Sequence, residues 1–131
     1  MNRANRLLIT YDLTEPIAEG TTAQITFTLK DESLVVIPSN QIVTLKLTLF
    51  NEQSRTIINA RNAQDILNTN NVTVHTSSGL VTWLLQPADT AVENFTNAFE
   101  ARIALFAWTF ASLGSKAGKR QIRFRVKNLD K

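Results

Sequence analysis

The sequence predicts an all-β domain, a sandwich or barrel of about seven or eight short strands. Three observations carry this. Apolar and polar residues alternate with period two through several segments, the pattern of half-buried strands. Turn signals recur every 8 to 15 residues or so between those segments. The chain has 131 residues, 44% of them hydrophobic, and no cysteine, so a core without disulfides must hold the fold.

The elements follow in order. Residues 1–15 are expected to be an N-terminal arm or first strand, and residues 16–131 a single domain. Pro16 and Gly20 punctuate the entry. Ala23, Ile25, Phe27 and Leu29 then alternate with Gln24, Thr26, Thr28 and Lys30, a strand with one wet face. Asp31-Glu32-Ser33 is a polar turn. Ile42 to Phe50 is the second clear strand, with Val43, Leu45, Leu47 and Leu49 on one face. Asn51 to Ser54 turns the chain into a short returning strand, Arg55 to Ile58, a hairpin of common loop length. The Asn-rich stretch Asn59 to Asn71 reads as a loop or short helix capped by Asn62, with Ile66 and Leu67 packing inward.

Val72 to His75 and Leu80 to Leu85 are strands about the Ser77-Ser78-Gly79 turn, and Gln86 to Ala91 is a turn or single helical turn. Ala98 to Phe110 is the longest apolar run. Its first half sets Phe99, Ala101, Ile103 and Leu105 against Glu100 and Arg102. Its second half places Phe106, Trp108 and Phe110 on the face that began polar. Aromatics at i, i+2 and i+4 favour strand over helix, and the change of face implies a bulge or a partner. Leu113 to Gly118 reads as a turn. The last strand, Arg120 to Leu129, turns Ile122, Phe124 and Val126 inward and Gln121, Arg123, Arg125 and Lys127 outward.

Net charge is +3, unevenly placed. Seven of the 14 Lys and Arg residues lie in the last 16 positions, offset there by Asp130 alone. Such an end suits nucleic acid, an acidic protein surface or plain solvent. Nucleic acid is disfavoured, because Phe124 points away from Arg123 and Arg125 and leaves no stacking platform among the cations. No apolar run reaches the ~18 residues that span a bilayer, and no secretory signal is recognisable after the basic start. No membrane role is expected.

Chemistry is sparse. His75 is the only imidazole, and no cysteine exists for it to activate. Ser77 and Ser78 lie near it without a nucleophile-elbow motif. Asp31, Glu32, Asp65, Asp89, Glu93 and Glu100 form no recognisable acid–base pair, and neither a phosphate-binding nor a calcium loop is present. The chain is expected not to be an enzyme, with no catalytic, cofactor or metal site and no small-molecule substrate.

Four stretches carry a resemblance: Gly20 to Asp31, Gln41 to Leu47, Gly79 to Thr90 with its Gly-Leu-Val-Thr-Trp start, and Phe99 to Trp108. In order and spacing this resembles the small immunoglobulin-like domains of tailed bacteriophages, best represented by the N-terminal domain of baseplate upper proteins. The similarity covers roughly residues 17 to 128, mostly as strand grammar. It departs in the Asn59 to Asn71 insertion and in the absence of a fibre after Lys131.

The resemblance implies an immunoglobulin-like antiparallel β-sandwich. It implies a structural component of a phage virion (neck, tail, baseplate or capsid surface), made in the bacterial cytoplasm and docking onto other virion proteins in a symmetric assembly. The alternative is a stand-alone carbohydrate- or cell-surface-binding module, which exposed tryptophans would favour. Candidate interface residues are Phe106, Trp108 and Phe110, with Arg123, Arg125 and Lys127 and the arm residues Arg3 and Arg6. The aromatics fit a core equally well, and disorder is the default for the arm.

Overall fold

A computed structural model of the chain describes residues 15–111 and 114–130, and the backbone of residues 8–12. It is an all-β sandwich of two sheets. The strands are β1 (Leu8–Asp12), β2 (Ile17–Ala18), β3 (Ala23–Thr28), β4 (Ile42–Asn51), β5 (Gln64–Asp65), β6 (Val72–Val74), β7 (Leu80–Leu85), β8 (Phe99–Ala111) and β9 (Ser115–Lys127).

The larger sheet runs β1-β9-β8-β4-β5. β1 pairs parallel with Lys119 to Arg123 of β9, and β2 continues parallel beside Val126 and Lys127. The smaller sheet runs β3-β7-β6, all antiparallel.

Period two decides which side chains meet between the sheets. Ile25, Phe27, Leu29, Val72, Val74, Val81, Trp83 and Leu85 enter from the smaller sheet. Leu45, Leu47, Leu49, Phe106, Trp108, Phe110, Ile122, Phe124 and Val126 enter from the larger. Each such side chain contributes about 1.5–3 kcal/mol by leaving water. The Phe106 ring lies 4.6 Å from Phe27 and 5.7 Å from Trp83, which also meets Phe124 edge-on at 6.1 Å. These contacts cross the sandwich and fix how one sheet sits on the other.

Four expectations are corrected. Phe99, Ala101 and Leu105 lie on the outer face of β8, together with Ile103, which is buried there outside the inter-sheet core, and Glu100 and Arg102 face the interior. β8 pairs with β9 without interruption, so it carries no bulge. The bulge lies in β4, where the register slips between Ile42 and Thr44. It keeps Ile42 inside and turns Val43 out to 60% exposure.

Residues 59–71 take the loop alternative rather than the short helix, and Arg55 to Ile58 leads into them. The whole of 55–71 runs back beside β4 through the Phe50–Ile57 bridge, a bond from Leu49 N–H to Arg61 C=O, and β5. Seven residues there have positive φ, four of them Asn, which tolerates that region and breaks a helix. Ile66 and Leu67 do pack inward. Of the expected turn Leu113 to Gly118, residues 115–118 are strand, since β9 begins at Ser115, and Leu113 lies outside the described residues.

Candidate docking surface

The three aromatics expected at an interface are in the core. Phe106, Trp108 and Phe110 are 0%, 5% and 1% exposed. They alternate inward because β8 is flanked on both edges, by β4 and β9, and a central strand must put its largest side chains between the sheets. Arg123, Arg125 and Lys127 share the outer face of β9, as period two requires. They do not stand free as a cationic stripe. Arg123 grips Glu52 with two bonds, Nε to Oε2 at 2.9 Å and Nη2 to Oε1 at 3.2 Å. The Arg125 guanidinium lies 5.3 Å from the Phe99 ring centroid. Lys127 is exposed. Arg3 and Arg6 lie outside the described residues. The aromatic trio and the basic trio thus occupy opposite faces of one sheet.

Two exposed apolar groups lie at the two ends of the sandwich. The first is the loop between β3 and β4. Leu34, Val35 and Val36 are 52%, 58% and 41% exposed. This loop is a built turn. The Asp31 carboxylate accepts from the Ser33 and Val35 N–H groups, at 2.8 and 2.9 Å. Asp31 N–H donates to Val35 C=O, Lys30 bridges Val36, and Ile37 N–H returns to Leu29 C=O. Leu34 is held at φ +63°, a conformation costing a bulky residue about 1–2 kcal/mol. Gly79 (φ +65°) sits against this loop so closely that a Cβ would lie 2.3 Å from Ile37 O. Leu80, partly exposed, continues the apolar surface, and the exposed Lys30 and Lys119 line a small recess with Leu34.

The second group is at the far end of β8. Phe95 is 71% exposed, Leu129 60% and Phe99 45%. The loop carrying Phe95 is held by buried polar side chains. Glu100 accepts from the N–H of Glu93 and of Asn94, both at 2.8 Å, from the Asn97 amide, and from Arg102 Nη1 at 2.9 Å. Arg102 also donates to Ala91 C=O. Burial works to raise the Glu100 pKa; the Glu93 and Asn94 N–H groups, Arg102 and Asn97 outweigh it, and the net shift is downward. Asn128, buried, donates to the carbonyls of Phe95 and Asn97. Both apolar groups are therefore carried on braced backbone.

A second buried pair ties the 55–71 excursion down. Arg61 binds Asp89 through Nε (2.6 Å) and Nη2 (3.1 Å), and Gln64 and Asn70 C=O take Nη1. Asp89 in turn caps the Pro87–Asp89 turn through Gln86 N–H. The two buried pairs use two of the carboxylates weighed above for acid–base chemistry, and here they brace loops. His75 is an exposed strand-end residue whose Nδ1 accepts from the Ser77 and Ser78 N–H groups.

An open polar cleft of about 380 Å³ lies among Asn51, Gln53, Ser54, Glu93, Asn94 and Asn97. Among the described residues no three His, Asp or Glu side chains converge as metal ligands would.

The exposed aliphatic loop has a sequence signal that period-two reasoning passes over. Leu34 to Ile37 is a run of four aliphatics between a polar turn and Pro38, without the alternation of a half-buried strand. Phe95 offers none, being one aromatic in a polar loop. No family model, curated protein or solved structure matches the chain.

Proposed function

We propose that the chain is an immunoglobulin-like docking module that serves as a structural component of a tailed-phage virion. Protein–protein contact is its mode of action. The observation that carries this reading is the agreement between motif order and strand order. The stretches Gly20 to Asp31, Gln41 to Leu47, Gly79 to Thr90 and Phe99 to Trp108 centre on β3, β4, β7 and β8.

On this reading the path β3-β7-β6 takes the places of strands B, E and D, and β9-β8-β4-β5 those of G, F, C and C′. The usual inter-sheet disulfide has no counterpart, since the chain has no cysteine. Apolar loops held rigidly at the ends of a sandwich lower the entropy cost of association, and this supports a docking role.

The test is size-exclusion chromatography with light scattering, on the chain alone and mixed with purified particles lacking it. Uptake in a fixed ratio is the expected result. A chain that never associates with particles removes the virion reading. The glycan-binding alternative has one observation in its favour, the amide-lined cleft. Both tryptophans are buried, which takes away the stacking platform such a module would use. Binding on a glycan array that Asn94→Ala abolishes would move the assignment there.

A further inference from the structure

We infer that the chain associates with copies of itself head to tail, the Leu34–Val36 loop of one copy seating against the Phe95, Phe99 and Leu129 end of the next. This deepens the docking reading and rests on it for the idea of a docking module, but it needs no virion.

The argument begins with where the two groups lie. The loop leads into Ile42, which pairs with Phe110 at one end of β8, while Phe99 begins the other end. β8 has 13 residues, about 40 Å of strand. The two patches of one molecule therefore cannot meet each other. Contact between them requires a second copy, and such a contact uses different surfaces on its two sides. A heterologous contact of this kind closes into a ring if its rotation permits and otherwise runs on as a chain.

The chemistry of the two ends is complementary. One is aliphatic, with Leu34, Val35 and Val36 on a braced turn; the exposed cations Lys30 and Lys119 flank it, while the loop's carboxylates are engaged, Asp31 by the turn's N–H groups and Glu32 by Lys116. The other is aromatic, with Phe95 and Phe99 near the exposed carboxylates Glu93 and Asp130 and near Glu19, which accepts from Leu129 N–H; the cations at that end are the exposed Lys127 and the half-buried Arg125, whose guanidinium lies over the Phe99 ring. Apolar contact supplies the attraction, and the opposite charges set orientation and encounter rate. A lipid surface, the other partner for an aliphatic loop with lysines, would leave the aromatic end unused.

The test uses two single variants, Val35→Asp and Phe95→Asp. Both side chains are more than half exposed, so both variants should keep the native far-UV circular dichroism. Sedimentation velocity is run from about 1 μM to about 1 mM protein, a range that captures weak association. The wild-type chain is expected to grow past the dimer as concentration rises. Each variant alone should remain monomeric. An equimolar mixture should recover a dimer and stop there, because only one intact loop and one intact aromatic end remain to join.

A monomeric wild-type chain across that range overturns the inference. So does a variant that associates as the wild type does, or a mixture that recovers no dimer. Wild-type binding to phosphatidylserine vesicles that Val35→Asp abolishes, with no self-association, replaces it with a membrane contact. A chain that is monomeric yet taken up by particles overturns only the head-to-tail contact. A chain that self-associates but is refused by particles overturns only the virion reading.

Discussion

Glu100 shows how one residue links stability to the exposed end of the molecule. Its carboxylate is buried and accepts from two backbone N–H groups, an amide and an arginine. A buried charge with this many donors is tolerable; one stripped of its partners costs several kcal/mol. Burial opposes ionisation, the donors favour it more, and the folded pKa lies below the ordinary 4.5. A depressed carboxylate pKa stabilises the fold above the unfolded value, and that contribution is lost as pH falls through the lower folded value. Thermal melts of the wild type should therefore drop in Tm as pH falls below about 4.5. Glu100→Gln should melt lower at pH 7 and show a flatter acid limb. An acid limb as steep in the variant as in the wild type would remove Glu100 from the account. At the other brace the buried Asp89 carboxylate is likewise fully partnered, by the two-bond Arg61 contact, the Gln86 N–H and the Asn59 amide.

At the level of elements, the β8–β9 hairpin shows how a glycine misleads. Gly118 reads as turn punctuation, and the segment around it as a turn. In the structure Gly118 is a strand residue directly opposite Trp108. The indole lies over it, and a Cβ would come within 2.6 Å of the ring. The missing side chain makes room for the aromatic, which would otherwise be pushed into a filled core. Gly118→Ala should cost about 1–3 kcal/mol, the range for overpacking, read as a lowered Tm with a shifted tryptophan emission. An unchanged Tm would show that the indole has room to move. The same hairpin explains why the facing of β8 cannot be told from its alternation alone. Its first half is apolar on one side and charged on the other, its second half apolar on both. The aromatics decide the inward face, and Glu100 and Arg102 follow them in because they satisfy each other and the 91–97 loop.

For the whole molecule, the aromatic contacts make the two sheets one cooperative unit. Trp83 belongs to the smaller sheet and touches Phe106 and Phe124 of the larger. Tryptophan fluorescence thus reports on the interface between sheets, and far-UV circular dichroism on the strands within them. A single domain of this size is expected to unfold with the two signals coincident in urea. A fluorescence transition that precedes the other would mean the sheets separate before they unfold. Two groups of exposed apolar side chains stand at the molecule's ends, Leu34 to Val36 and Phe95, Phe99 and Leu129, and association between copies is the consequence drawn from them.

The sequence by itself determined the all-β class, the inward sets Ile25–Phe27–Leu29 and Ile122–Phe124–Val126, and the outward cations of β9. In each case an apolar face alternates with a polar one, and a period of two leaves no choice of side. Tertiary structure alone decided the rest. The burial of Phe106, Trp108 and Phe110 depended on the strands flanking β8. The burial of Arg61 and Asp89 depended on a partner 28 residues away, and that of Glu100 and Arg102 on how the preceding 91–97 loop folds back over them. The bulge that turns Val43 outward depended on the register with β8. The exposure of the two ends was settled there too, although the aliphatic run Leu34 to Ile37 marks one of them: alternation tells a strand's two faces apart, while a loop's exposure is set by what packs beside it.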